Sequence, residues 1–120
     1  MMLHECNIYK STALARKHQE TQLKLQRWER SLSVAQNAAA FLRTQLQVDQ
    51  VFCFGSILDR NSFTLTSDID LAVQNLDPEQ FFTTVAQLQD LDPEFKIDLV
   101  DLDRCSLSLK NLILTDGKEL

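Results

Sequence analysis

Two short stretches of this chain alternate strictly between apolar and charged or polar side chains. In 68–74, Ile69, Leu71 and Val73 share one face of an extended segment while Asp68 and Asp70 share the other. In 95–100, Phe95, Ile97 and Leu99 oppose Lys96 and Asp98. A period of two is the mark of a strand with one buried face, so both stretches must lie in a sheet whose second face carries carboxylates. A third run, Val51 to Phe54, is apolar throughout and reads as a strand buried on both sides.

The rest of the pattern is helical. Leu25, Trp28, Leu32, Ala35, Ala39, Leu42 and Leu46 recur in steps of three and four, which is one continuous helical stripe. The polar, helix-prone residues upstream place the start of this helix near Ser11, with the early part projecting as an arm. That arm is either a solvated extension or a docking surface for a partner. Asp77, Pro78 and Gln80 supply an N-cap, a first-position proline and a capping-box residue for a short helix that buries Phe81, Val85 and Leu88. A terminal helix over 107–114 is expected to be capped by Asp103 and ended by Gly117 in the left-handed conformation. The fold class is therefore α+β: a small mixed or antiparallel sheet flanked by helices, with an extended N-terminal helix. Residues 1–30 are assigned to the helical extension and 31–120 to the domain.

The length of 120 residues, 44% of them apolar, suits one core. Seventeen acidic against twelve basic residues give a net charge of −5, which disfavours direct binding to nucleic acid or anionic lipid. Cys6, Cys53 and Cys105 show no zinc spacing, and their odd number fits a reducing compartment. Cys53 reads as a core thiol. No apolar run approaches the roughly 18 residues of a membrane span, and the first twelve residues lack the apolar core of a signal peptide, so the expected location is cytoplasmic.

Two carboxylates at i and i+2 of one strand repel each other unless a cation lies between them. Asp68 and Asp70 therefore call for a metal, and hard oxygen donors suit Mg²⁺, which keeps part of its shell for water and substrate phosphates. Asp98 on the third strand would complete three carboxylates able to hold two ions roughly 3.5–4 Å apart, an arrangement for in-line phosphoryl displacement. Asp101 and Asp103 are the alternative third ligands. Gly55 and Ser56, at the end of the first strand, could cradle phosphates through close backbone approach, a hydroxyl and the amides of the next turn, helped by the partial charge of a helix starting there.

Taken together, "GSILDRNSFTLTSDIDLAV" and "FKIDLVDL" resemble the signature of the DNA polymerase β-like nucleotidyltransferase superfamily. In size the chain is similar to its minimal nucleotidyltransferases, the MNT proteins, many of them antitoxins encoded beside a HEPN-domain toxin. The resemblance implies that Gly55 and Ser56 bind the nucleotide triphosphate, that Asp68 and Asp70 bind the metals, and that Asp98 binds metal and activates the acceptor hydroxyl. Arg60 and Ser67 are added as further nucleotide-binding candidates. The spacer of eleven residues between Ser56 and Asp68 is one longer than the commonest family form, and Arg60 and Asn61 stand where a glycine is often found.

By the same resemblance the reaction is transfer of AMP from ATP, with two Mg²⁺ ions, to a tyrosine of a HEPN ribonuclease toxin, which is thereby silenced. The seventeen residues after Asp103 leave little for an acceptor-binding domain, so the acceptor site is expected on a partner, with the arm from Ser11 to Arg30 as a docking candidate. His4 and His18 lie in the polar N-terminal stretch and form no HEPN-type Arg-x4-His motif, and the resemblance implies that this chain is the antitoxin half. The alternatives are an antitoxin that acts by binding alone and a small-molecule nucleotidyltransferase completed by a second subunit.

Overall fold

A computed structural model describes residues 2–120, with side chains described from Lys10 onward; Met1, and the side chains of His4 and Cys6, lie outside the described residues. Helix α1 spans Met2–Gln45, strand β1 Gln50–Phe54, strand β2 Ile69–Gln74, helix α2 Phe81–Gln89, strand β3 Ile97–Asp101, helix α3 Leu107–Asp116 and strand β4 Lys118–Glu119. Single 3₁₀ turns, Gly55–Leu58 and Pro78–Gln80, follow β1 and precede α2. The sheet is mixed, in the order β3-β2-β1-β4, with β2 antiparallel to β1 and parallel to β3. The expected α+β class is borne out.

The two faces of the sheet have different cover. Val51, Cys53, Ile69, Leu71, Val73, Ile97 and Leu99 join Val34, Ala35, Ala38, Ala39 and Leu42 of α1 and Leu88 of α2 in the main core. The small residues of α1 let its backbone approach the sheet closely. On the other face, Phe52 and Ala72 pack with Leu102 and with Ile113 of α3. Because successive residues of a strand alternate between faces, Asp70 and Asp98 share this second face with Ala72 and Val100, and Phe54, paired with Asp70, packs at the edge of the α3 cluster.

The predicted stripe holds from Trp28 onward, while Leu25 is exposed. Helix α1 begins well before Ser11, and the boundary at residue 30 falls inside a continuous helix whose Arg27–Ser31 turn already packs on the domain. Both Arg27 and Ser31 are buried. Residues 11–23 are exposed, among them Leu14, His18 and Leu23. Among the described residues no helix is long and apolar enough to cross a membrane.

Two expected caps are corrected. Ser106, not Asp103, caps α3, its hydroxyl accepting from the Leu109 amide at 3.2 Å. Asp103 is engaged instead by the Asn75 amide, 2.8 Å from its carboxylate. Gly117 ends α3 with φ −68°, not in the left-handed region. Glycine is required there for space: a Cβ would overlap the Ile113 carbonyl oxygen and lie 3.2 Å from that of Cys53. Since those atoms are backbone and cannot swing aside, Gly117→Ala should destabilise the fold by about 1–3 kcal/mol. Urea titration checks this; an unchanged midpoint would mean that the C-terminal strand moves freely.

The Asp77 cap forms as predicted, accepting from the Glu79 amide at 3.0 Å, although the first turn is 3₁₀. Cys53 is indeed a core thiol, 1% exposed, and burial pushes its pKa up.

Candidate active site

The antiparallel register sets Phe54 opposite Asp70, and the parallel register sets Asp70 beside Asp98. These two pairings bring together three parts of the sequence signature. Gly55 leaves β1 with φ +77°, close enough to Asp70 that a Cβ on it would lie 2.6 Å from the carboxylate Oδ2. The glycine and the second aspartate thus form one surface. Asp68 lies immediately ahead of β2, two residues before Asp70, close enough for its charge to act on Asp70.

Asp70 is half-buried. Its pKa is raised first by burial, then by the negative charges of Asp98 and Asp68, and is lowered only by Lys96. A carboxylate kept unfavourable by two like-charged neighbours gains from any cation that enters the cluster. Asp98 leans toward Lys96, whose Nζ lies 3.6 Å from its Oδ1, and among the described residues no three potential ligands converge tightly enough to form a ready metal cage. All-oxygen donors on an open face still match Mg²⁺, which takes few protein carboxylates and fills its shell with water and phosphate oxygens.

The rival third ligands point elsewhere. Asp101 has the opposite strand parity to Asp98, is buried, accepts from the Asp103 amide at 3.0 Å and pairs with Arg104 at 3.4 Å. Asp103 is held by Asn75. Asp98 alone of the three carboxylates is in register with Asp70.

The turn after β1 is shorter than expected. Gly55–Leu58 is a single 3₁₀ turn, so the partial charge of a longer helix is lacking, and an anion there would depend on individual amides and on the Ser56 hydroxyl. No described residue engages that hydroxyl. The other candidates are less central: Arg60 is exposed and lines a cleft of about 430 Å³ with Thr21, Lys24 and Phe63. Ser67 closes the preceding loop, its hydroxyl accepting from the Thr64 amide at 2.8 Å.

The contacts that hold these segments from outside are not among the sequence expectations. Arg27 Nη2 donates to the Ser67 carbonyl at 3.0 Å, and Trp28 Nε1 donates to the Ile57 carbonyl at 2.8 Å. One signal was available: Arg27 and Ser31 continue the Val34, Ala38 row of α1 by helical spacing, which places a charge on an apolar face.

Residues 36–120, more than half the chain, match the family model described as polymerase beta, nucleotidyltransferase. No curated protein matches the sequence. Among solved structures, a chain from the crystal structure of a toxin–antitoxin with AMP-PNP is similar at 27% identity with a TM-score of 0.58, covering 69% of this chain and 69% of its own. A chain from the MntA–HepT toxin–antitoxin crystal structure shares 25% identity with a TM-score of 0.55, covering 73% and 69%. A crystal structure from Shewanella oneidensis, at 24% identity and a TM-score of 0.56 over 72% of this chain and 68% of its own, shares the fold.

Proposed function

The chain belongs to the polymerase β nucleotidyltransferase family, and from that premise we propose that it is an antitoxin that transfers AMP from ATP to a tyrosine hydroxyl of a HEPN ribonuclease partner, silencing it. The observation that carries the chemistry is the convergence of Gly55, Asp70 and Asp98 through two strand registers. The toxin–antitoxin assignment is supported by the MntA–HepT and AMP-PNP likenesses.

Asp68, Asp70 and Asp98 would hold Mg²⁺, which when bound neutralises charge on the α-phosphate and on the departing pyrophosphate. Ser56 and the amides of the 3₁₀ turn would bind the triphosphate, and the positive φ of Gly55 lets the turn start against Asp70 without a side chain between them. In the transfer, the acceptor oxygen bonds to the α-phosphorus as the bond to the bridging oxygen breaks and pyrophosphate leaves. Asp98, half-buried and in register with Asp70, would take the acceptor proton. A tyrosine with an ordinary pKa near about 10 needs such a base at neutral pH.

The ribonuclease activity of the HEPN partner separates catalysis from binding. Toxin co-expressed with the wild-type chain should be inactive and stay inactive after the two are separated. Toxin co-expressed with the Asp68→Ala, Asp70→Ala double variant should cleave RNA. Equal silencing by the double variant would replace this reading with an antitoxin that acts by binding alone.

A further inference from the structure

One turn of α1 holds the backbone next to Ser56 and next to Asp68, and a carboxylate four residues before Asp98. Trp28 holds the carbonyl of Ile57, the residue after Ser56, and Arg27 holds the carbonyl of Ser67, the residue before Asp68. Arg27 Nη1 also lies 3.4 Å from Glu94 Oε1, and Arg30 reaches both carboxylate oxygens of Glu94 at 3.0 and 2.5 Å. Glu94 stands four residues before Asp98, with Phe95 between them buried under the Arg27 guanidinium at 4.3 Å.

This is an unusual use of a buried charge. The Arg27 side chain is 10% exposed, and its Nε is buried without a partner. An apolar side chain of similar volume would pack against Phe63 and Phe95 with no desolvation penalty. What an apolar residue could not do is hold a loop carbonyl and a strand-entry carboxylate from one planar group.

We propose that Arg27 and Trp28 are positioning residues for nucleotidyl transfer: Trp28 sets the turn that receives the triphosphate, while Arg27, with Arg30 acting through Glu94, sets the approach to Asp68 and Asp98. The inference rests on the nucleotidyltransferase reading above. It divides the labour between neighbouring residues, so the two have different kinetic signatures.

Arg27→Lys keeps the charge but loses the planar fork. It should lower kcat about ten- to a hundredfold, since small displacements of reacting groups are costly, with KM for ATP nearly unchanged. Trp28→Phe keeps the ring and loses the N–H donor. It should raise KM for ATP about fivefold, the cost of one hydrogen bond, with kcat near wild type. Both are measured with the HEPN partner as acceptor, at a temperature where circular dichroism shows the variant folded. Should Arg27→Lys fail to fold, Glu94→Gln, at an exposed side chain, takes its place and should lower kcat in the same direction.

Binding of AMP-PNP with Mg²⁺, followed by calorimetry, separates the two levels of the argument. Wild-type protein that binds no nucleotide would overturn the nucleotidyltransferase reading and this inference with it. Wild-type protein that binds and turns over, beside folded variants with wild-type kcat and KM, would overturn the positioning roles alone and leave Arg27 and Trp28 as anchors of the fold.

Discussion

Asp70→Asn should abolish nucleotidyl transfer, a loss of about a thousandfold or more, and at the same time raise the melting temperature. The two effects share one cause. Asp70 is half-buried beside Asp98 and Asp68, and its pKa is pushed up by burial first and by those charges second. Asparagine keeps the shape and removes the charge, and with it the proposed cation ligand. A folded-state pKa above the unfolded value means that the group's contribution to stability is full below the unfolded pKa and is lost as pH rises through the folded one. At neutral pH the wild-type protein therefore folds against the burial of this charge and, second, its repulsion by Asp98 and Asp68.

Thermal unfolding of the two proteins across pH reads this directly. Asp70→Asn should melt a few degrees higher at neutral pH, and the gap should shrink toward acidic pH, where Asp70 is protonated. Mg²⁺ should raise the wild-type midpoint by binding the folded state and raise that of the variant much less. A variant that melts at or below wild type at neutral pH, or that keeps its activity, would contradict the placement of Asp70 at the centre of the site.

Gly55→Ala should lose about a hundredfold in kcat/KM while also losing stability, the opposite stability sign from Asp70→Asn. At φ +77° an alanine costs about 1–2 kcal/mol. Its Cβ would lie 2.6 Å from Asp70 Oδ2, 3.6 Å from Cγ and 3.8 Å from Cβ of Asp70. A carboxylate end can rotate away, so the fold survives, but the relief comes at the expense of the ligand geometry, where about 1 Å of misplacement is worth about a hundredfold. Steady-state kinetics with a parallel melting curve checks both halves. Wild-type kcat/KM in the folded variant would mean that the closeness of Gly55 to Asp70 has no part in the reaction.

Much of this arrangement was legible in the sequence because it follows from local periodicity. Alternation put Asp70 and Asp98 on one face of two strands, and the sheet then placed them in register. Helical spacing put Ala35, Ala39 and Leu42 in the core, where they are fully or almost fully buried. What escaped depends on contacts between segments far apart in the chain. Asp103 has the chemistry of a helix cap, yet the Asn75 amide claims it and Ser106 caps instead. Gly117 has the chemistry of a left-handed terminator but is needed for the closeness of two carbonyls. Arg27 broke the apolar pattern of its helix face because its partners, Ser67 and Glu94, are 40 and 67 residues away. β4 is only two residues long, too short for a period to register.

The central claim is that this site moves AMP onto the partner protein. Incubation of the chain and the proposed HEPN partner with α-labelled ATP and Mg²⁺, followed by tryptic mapping of the partner, tests it most directly. The account predicts label on a partner tyrosine with the wild-type chain and none with the Asp68→Ala, Asp70→Ala double variant. An unlabelled partner in the presence of active, nucleotide-bound wild-type chain, or label that persists with the double variant, would contradict it.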